Sequence, residues 1–355
     1  MKKLLLPMLC LMCISSCGYW KVTELQPETI CTIPQGDQAG QVNIQKNENG
    51  LLDLTFGVHI SGKNIYIKDN ISRRIQVFNR EAELEMIIGK IDKSLSSDEK
   101  VSTSNINFNI IGAMATDSND NIYAQNRLAA SARYGGRNSD NVDLSPSYIL
   151  YFDKNGELQY TLGRDGSTAV PFYYIEHLHV DNDDRLFVVG RSSDIWSVYR
   201  FDKRKRDFST TLGQPEFSEK EEDRVYDGKI ENISVFQNGK AFLVSVAYYH
   251  GTRFKFRKIM KYSIEKNEIE KTVITTPDPK NELFTVIDDK YVYLWNVSAD
   301  ELKYVICNMN GEVINNLLIE FSDRERIFND ITLNNSGQFY SYHVSSKGID
   351  ILEWK

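Results

Sequence analysis

Two histidines, His177 and His179, stand two residues apart in the strand-like run 175–180. Side chains alternate along a β-strand, so both imidazoles would project from the same face. Imidazole nitrogens are common ligands of transition metals, and a carboxylate often completes such a set. Asp330, in a later strand-like run, is the carboxylate that the repeat pattern described below brings opposite to them. These three residues form a candidate channel or metal site.

The plainer alternative is that these polar side chains hydrogen-bond the water of a channel. On that interpretation no cofactor is expected, and a transition metal remains the alternative. The remaining histidines, His59, His250 and His343, have no partner at ligand spacing, and we interpret them as ordinary surface or strand residues. The sequence contains no GxSxG, HExxH or P-loop motif, so no catalytic residue is assigned.

A second candidate lies in the segment 127–147, which carries Arg127, Arg133, Tyr134 and Arg137 together with two glycines. Arginine and tyrosine are enriched where protein surfaces bind partners, and long exposed loops frequently carry such contacts. This segment is therefore the first candidate for a partner-contact loop.

The elements that must position these residues form a repeat. Alternating or apolar runs of four to eight residues recur along the chain, separated by Asn, Asp and Gly, as in antiparallel strands joined by tight turns. Each unit is predicted to form a four-stranded antiparallel meander. Six units can be counted from the starts of their second strands, which fall at Asn64, Asn121, Arg185, Lys240, Lys290 and Gln338.

The sixth unit has only three strands before the chain ends, whereas 27–34 near the N-terminus is a strand without a unit. Pairing the two closes a ring, which predicts an all-β, six-bladed β-propeller of four-stranded antiparallel blades. Three polar stretches, 91–110, 127–147 and 214–229, are expected as loop insertions. A seventh blade would follow if 36–56 paired independently.

In a propeller the innermost strand of each blade lines a central channel. Counting back six and eight residues from the start of each second strand gives two positions on one face of the inner strand. In unit one these positions are Phe56 and Val58. The same count gives His177 with His179 in unit three and Asp330 in unit six. Units three and six lie opposite each other in a six-fold ring.

The first unit also resembles an NHL-type propeller repeat. The resemblance rests on 64–66 (Asn-Ile-Tyr), Asp69, 74–78 (Arg-Ile-Gln-Val-Phe) and Gly89. Units two and three keep parts of the motif, and units four to six depart from it. The whole chain resembles bacterial lipoproteins that carry a six-bladed propeller directly behind the lipidated cysteine, a family of unassigned function. The resemblance implies a propeller fold and export to the bacterial envelope, and it implies no activity.

The N-terminal segment predicts export. Two lysines are followed by the apolar stretch 4–14 and by small residues before Cys17, the arrangement of a secretory signal. The run Ile14-Ser-Ser-Cys17 resembles a bacterial lipobox, with Ile in place of the commoner Leu. We therefore expect a signal peptide over 1–16, lipidation of Cys17, an anchor linker over 17–26 and the propeller over 27–355. An ordinary secretory signal is the alternative.

Export accounts for most of the five cysteines. Two leave with the signal, Cys17 carries lipid, and only Cys31 and Cys307 remain, with a disulfide between them left open. Loss of two lysines moves the net charge from −7 to −9. Because nucleic-acid binding needs clustered basic residues, an acidic exported domain argues against a nucleic-acid partner.

These observations predict a binding or scaffold protein, anchored by lipid to an envelope membrane at its periplasmic face or at the cell surface. Its loops or its channel mouth would present a surface to a protein or glycan partner. The alternative is a metal-dependent lyase or hydrolase with its site in the channel. A purely structural subunit of an envelope complex is a third interpretation.

The anchor can be tested directly. We expect Cys17→Ser to shift the protein from the membrane fraction to the soluble exported fraction, because several acyl chains hold a protein stably on a membrane and none would remain. Cys31→Ser, which changes a cysteine outside the predicted signal and keeps Cys17, is the matched control. Membrane retention of the Cys17→Ser protein would contradict lipidation at this residue.

Overall fold

The computed structural model describes residues 22–46, 52–53, 55–91, 101–128, 147–163, 172, 174–221, 224–298, 301–320, 327–334, 336–345 and 347–355. In these residues the chain forms β-strands and one short 3-10 helix, Gln214–Phe217. No helix in this part of the chain has the length and apolar character of a membrane span. Apart from one two-stranded hairpin, the strands assemble into six sheets arranged as the blades of a propeller, which confirms the predicted fold class.

The strands are numbered along the chain. The first four are β1 (Val22–Glu24), β2 (Pro27–Pro34), β3 (Gln45–Lys46) and β4 (Leu52–Asp53). Blade 1 contains β5 (Phe56–Ser61), β6 (Asn64–Asp69), β7 (Arg74–Phe78), β8 (Leu84–Gly89) and β9 (Ser102–Ser104). Blade 2 contains β10 (Ile110–Thr116), β11 (Ile122–Arg127), β12 (Ser147–Phe152) and β13 (Leu158–Leu162).

Blade 3 contains β14 (Tyr174–Val180), β15 (Leu186–Ser192), β16 (Ile195–Asp202) and β17 (Lys205–Gly213). Blade 4 contains β18 (Glu219–Glu221), β19 (Arg224–Val235), β20 (Ala241–His250), β21 (Arg253–Ser263) and β22 (Glu268–Thr276). Blade 5 contains β23 (Glu282–Ile287), β24 (Tyr291–Val297), β25 (Glu301–Asn308) and β26 (Val313–Glu320). Blade 6 contains β27 (Ile327–Leu333), β28 (Phe339–Ser345) and β29 (Gly348–Trp354).

The N-terminal strand closes the ring. β2 pairs antiparallel with β29 and becomes the outermost strand of blade 6, with Ile33 opposite Ile349. Ile33 is fully buried and packs in one hydrophobic cluster with side chains of blades 1 and 6. The pairing covers the outer edge of β29, which would otherwise present unpaired backbone groups. The sequence prediction of closure by 27–34 is thereby confirmed.

The turns between first and second strands form by local side-chain chemistry. In blade 2, Asp117 Oδ1 accepts hydrogen bonds from the backbone N–H groups of Asn119 (2.9 Å) and Asn121 (3.0 Å). In blade 3, Asp181 Oδ1 accepts in the same way from Asp183 (3.0 Å) and Arg185 (2.9 Å). An aspartate that bonds the backbone following it favours a tight turn over continuation of the strand.

Two segments predicted as loops contain short strands. Within 91–110, β9 runs parallel to the outer strand β8. Within 214–229, β18 pairs with the start of β19. The segment 36–56 contributes the two-stranded β3–β4 hairpin, and no seventh blade occurs in the part of the chain that the structure describes. Val22–Glu24, inside the predicted anchor linker, lies beside β26 as β1.

The two cysteines of the described chain, Cys31 on β2 and Cys307 on β25, are free thiols. Burial raises the pKa of each thiol to about 11. A thiol with a raised pKa is a poor nucleophile, and both residues pack as small apolar side chains.

Closure of the ring can be measured through stability. We expect Ile33→Ala to lower the free energy of unfolding by about 2–5 kcal/mol, because it leaves a cavity in the cluster that joins blades 1 and 6. The measurement is the urea midpoint, with an unchanged slope showing that the mutation acts on stability. Ile314→Ala removes an exposed isoleucine from β26 and should change stability by less than about 0.5 kcal/mol. Equal effects of the two variants would contradict the closure.

Candidate binding site in the central channel

The innermost strands of all six blades, β5, β10, β14, β19, β23 and β27, line one central cavity. Its volume is about 630 Å³. The lining residues come from the ends of these strands and from the turns that follow, including Gly62, Asn334 and Ser336. We call this end of the propeller the turn face and the three turn residues the channel mouth.

His177 and His179 both lie in the cavity lining, together with Leu178 and Val180 of the same strand, β14. His59, on β5, lines it as well, although the sequence analysis interpreted His59 as an ordinary strand residue. The reason is turn length. In blade 1 the turn is only two residues long, because Ser61 pairs with Asn64. The count back from the second strand therefore ends one residue away from the position that faces the channel. Phe56, assigned to the channel by that count, is buried in the cluster between blades 1 and 6.

Several polar side chains of the cavity wall bond to the inner strand of the next blade. These bonds join His59 Nε2 with Thr116 Oγ1 (3.2 Å), Asn232 Nδ2 with Leu283 O (2.8 Å) and Ser234 Oγ with Thr285 Oγ1 (3.3 Å). His177 bonds in a similar way to the backbone of Ile233. These groups therefore hold neighbouring blades together around the channel.

His179 differs from its neighbours. Its Nε2 atom has no accessible surface and no hydrogen-bond partner among the described residues. The ring lies 6.4 Å from that of Phe187, centroid to centroid. An unbonded polar atom in a buried position costs free energy, so native structures generally satisfy such groups with protein, water or ligand. Because Nε2 has no accessible surface, a molecule in the cavity would reach it only after a local rearrangement of the wall.

The three channel histidines are neutral at pH 7. Burial lowers the pKa of His177 to about 4, against a hydrogen bond to the backbone of Ile233 that opposes the shift. Burial, together with the neighbouring His177, lowers the pKa of His179 to about 4. Burial and the nearby Lys68 ammonium lower that of His59 to about 4. Each imidazole therefore offers one donor and one acceptor at neutral pH.

Asp330 belongs to β27 of blade 6, opposite blade 3 in the ring, but its side chain lies outside the described residues. Among the residues whose side chains are described, no group of three or more His, Cys, Asp or Glu is arranged to hold a metal ion. The metal site of His177, His179 and Asp330 therefore stays a prediction.

The partner-contact loop starts at the opposite face. Arg127 ends β11, opposite Ile110 at the start of β10, and the channel residues of that blade lie at the other end of β10. We call this opposite end the loop face. The guanidinium of Arg127 packs over the ring of Tyr174 at 5.4 Å. Arg133, Tyr134 and Arg137 lie outside the described residues, as does Cys17. The described start of this segment, Arg127, and the channel mouth thus lie at opposite ends of the propeller.

Comparisons with known proteins give little beyond this geometry. No family model matches the chain, and no curated protein matches it. Among solved structures, the chain is similar to one described as "Structure of Dos1 propeller", with 12% sequence identity and a TM-score of 0.39. That match covers 94% of this chain and 75% of the other. The fold assignment rests on the strand pairing described above.

The buried histidines make stability depend on pH in a defined window. Their pKa is about 4 in the folded chain and 6.5 when unperturbed, so between these values the unfolded chain binds more protons. Stability should therefore fall as the pH drops below about 6.5, by at most about 1.4 kcal/mol per pH unit for each histidine, and should be unaffected above it.

We expect the double variant His177→Gln/His179→Gln to lose less stability than the wild type when the pH is lowered from 7.5 to about 4.5. Urea unfolding across this range measures the difference. His250→Gln, which removes an exposed histidine from outside the channel, should retain the wild-type profile. Parallel profiles for the double variant and the wild type would show that the channel histidines do not carry the effect.

Proposed function

We propose that the protein is an exported, lipid-anchored binding protein of a bacterial envelope, and that its ligand occupies the channel mouth of the propeller. The observation that carries the proposal is the cavity of about 630 Å³, which the inner strands of all six blades line. Small-molecule sites have volumes of roughly 300–1,000 Å³ and combine apolar walls with a few polar groups. The partner is a protein or a glycan that inserts a segment into this cavity.

A binding role fits the wall better than a catalytic one. His59 and His177 are already bonded across blade boundaries, which leaves them poorly placed to exchange protons with a substrate. The described lining residues contain no carboxylate or thiol beside the histidines. No observation in the described part of the chain favours the metal-dependent lyase or hydrolase.

The position of β1 limits where an anchor at Cys17 can lie. Val22 pairs with Asn316 of β26, on the outer edge of blade 5. Cys17 precedes Val22 by five residues, which span at most about 18 Å when extended. A lipid anchor at Cys17 would therefore keep the outer edge of blade 5 within about that distance of the membrane.

Site-specific photo-crosslinking in intact envelopes tests the proposal. A photoreactive residue replaces Ser336 at the channel mouth, Leu128 at the loop face or Ile314 on β26, all of which are exposed. We expect a discrete adduct from position 336 and none from 314, because only the mouth contacts the ligand. The adducts are resolved by electrophoresis and identified by mass spectrometry.

An adduct from position 128 without one from 336 would place the partner on the loop face and contradict the channel proposal. Absence of adducts from both would contradict a binding function in the envelope. The variant at 314 controls for random collision, since its side chain is as accessible as the others.

A further inference from the structure

We infer that the outer edge of β21, at the loop face, binds an acidic, extended segment of a partner protein, which adds to blade 4 as a further strand. This contact is separate from the channel. β19 starts at the loop face and ends in the channel lining, and β21 begins at the same end of the sheet as the start of β19. Three features carry the inference: a strand edge without a neighbour, two cations without an ion pair and two half-exposed aromatic rings.

The edge exists because β21 is longer than the strand outside it. β21 has eleven residues, but β22 pairs with it only from Arg257 onward. The chain after β22 continues with Pro277, which has no N–H group to donate to a neighbouring strand. Residues Arg253–Phe256, which we call the free edge, therefore have no strand on their outer side in the described part of the chain. An edge of this kind accepts an added strand through its main-chain groups.

Short added strands already occur in this propeller. β9 and β1 have three residues each, and they run parallel to the outer strands of blades 1 and 5. On the opposite edge of blade 4, β18 adds the sequence Glu-Lys-Glu to the start of β19, with Glu221 opposite Arg224. Glu219 of β18 also forms an ion pair with Lys258 Nζ at 2.6 Å. The sheet of blade 4 thus accommodates an acidic strand of three residues beside basic side chains.

The charges of the free edge favour an acidic occupant. Arg253 and Lys255 are exposed, and neither forms an ion pair with a described residue. The carboxylates on the neighbouring strands are engaged elsewhere, because Glu231 lies 2.6 Å from Arg257 Nε and Glu282 lies 3.9 Å from Arg257 Nη2. The acidic residues 222–223, whose side chains lie outside the described residues, join β18 to β19 on the far side of β20.

The other outer edges differ in charge. β17 and β22 each carry both acidic and basic residues, and β13 carries neither. A second copy of this chain is also a poor occupant of the free edge. Antiparallel pairing of two such edges would bring Arg253 and Lys255 of one chain close to the same residues of the other, and like charges facing each other destabilise a sheet.

Aromatic side chains flank the free edge on both faces of the sheet. Phe254 lies opposite Tyr249, and their ring centroids are 5.9 Å apart. Phe256 lies opposite Tyr248, and these two rings stack at 4.8 Å. Because successive residues of β20 point to opposite faces, the two phenylalanines do as well. Both are half-exposed, so an added strand gains apolar contacts on each face from its own apolar side chains.

Titration of the full chain, purified in detergent, with synthetic peptides tests the inference. The probe is a short peptide of alternating glutamate and valine. One control peptide has lysine in place of glutamate, and a second is the glutamate peptide methylated at its backbone nitrogens, which keeps the charge and removes the main-chain donors. We expect the glutamate peptide to bind and both controls to bind at least about ten-fold more weakly. Hydrogen exchange should slow in the free edge when the glutamate peptide is bound.

Charge-reversal variants assign the contact. Arg253→Glu/Lys255→Glu should weaken binding of the glutamate peptide by at least about ten-fold and make the lysine peptide the tighter ligand, because the charge complementarity is inverted. Lys154→Glu/Lys290→Glu makes a similar change of charge at two exposed residues of the turn face and should leave the Kd within about two-fold of the wild type. If the first variant has a lowered melting temperature, Arg253→Gln/Lys255→Gln is measured in its place and should lose binding of the glutamate peptide to the same extent.

The inference is overturned if the glutamate peptide does not bind at millimolar concentration, or if Arg253→Glu/Lys255→Glu binds it as the wild type does. Equal affinity for the methylated peptide would mean charge attraction without strand addition and would overturn the inference too. Dimers of the unliganded chain in sedimentation that are lost in Arg253→Glu/Lys255→Glu would assign the free edge to a second copy in place of a partner protein. None of these outcomes bears on the channel mouth, which lies at the other end of the propeller.

Discussion

The pairing of β2 with β29 is the contact on which the rest of the structure depends. It joins the two ends of the chain and thereby fixes the ring that brings six inner strands around one cavity. The contact tolerates little change. At Gly348, whose φ is +148°, a Cβ atom would lie 2.0 Å from the carbonyl oxygen of Ile33, so only glycine lets the two strands approach. A strand of eight residues thus determines whether the channel exists at all.

The same polar side chains of the cavity wall can bond either to the neighbouring blade or to a ligand. Polar residues of the inner strands bond to the next blade, as Ser234 does with Thr285, and each such bond removes a group that a ligand would need. The wall is therefore polar in composition but offers few free donors and acceptors. His179 departs from this pattern, because its Nε2 atom reaches no partner in the described chain.

Much of the fold could be predicted because propeller blades are built from local signals. Turn-forming Asp and Asn residues and alternating apolar runs placed the second strand of every blade within one residue of its observed start, as at Asn64 and at Ile122. The site was less accessible to this reasoning. His59 was missed because one two-residue turn shifts the face of β5, and β9 was missed because a parallel strand pairs with a distant segment without a local turn. Lipidation, by contrast, is a sequence inference that strand pairing does not address.

Ring closure also determines the charge of the channel histidines. Packing of the six inner strands around one cavity buries His177 and His179, and this burial lowers the pKa of each to about 4. At neutral pH these imidazoles therefore act as hydrogen-bond donors and acceptors without a charge. The same desolvation lowers the stability of the folded chain below about pH 6.5, because only the unfolded chain binds protons there. The pH dependence of stability therefore reports directly on the burial that ring closure produces.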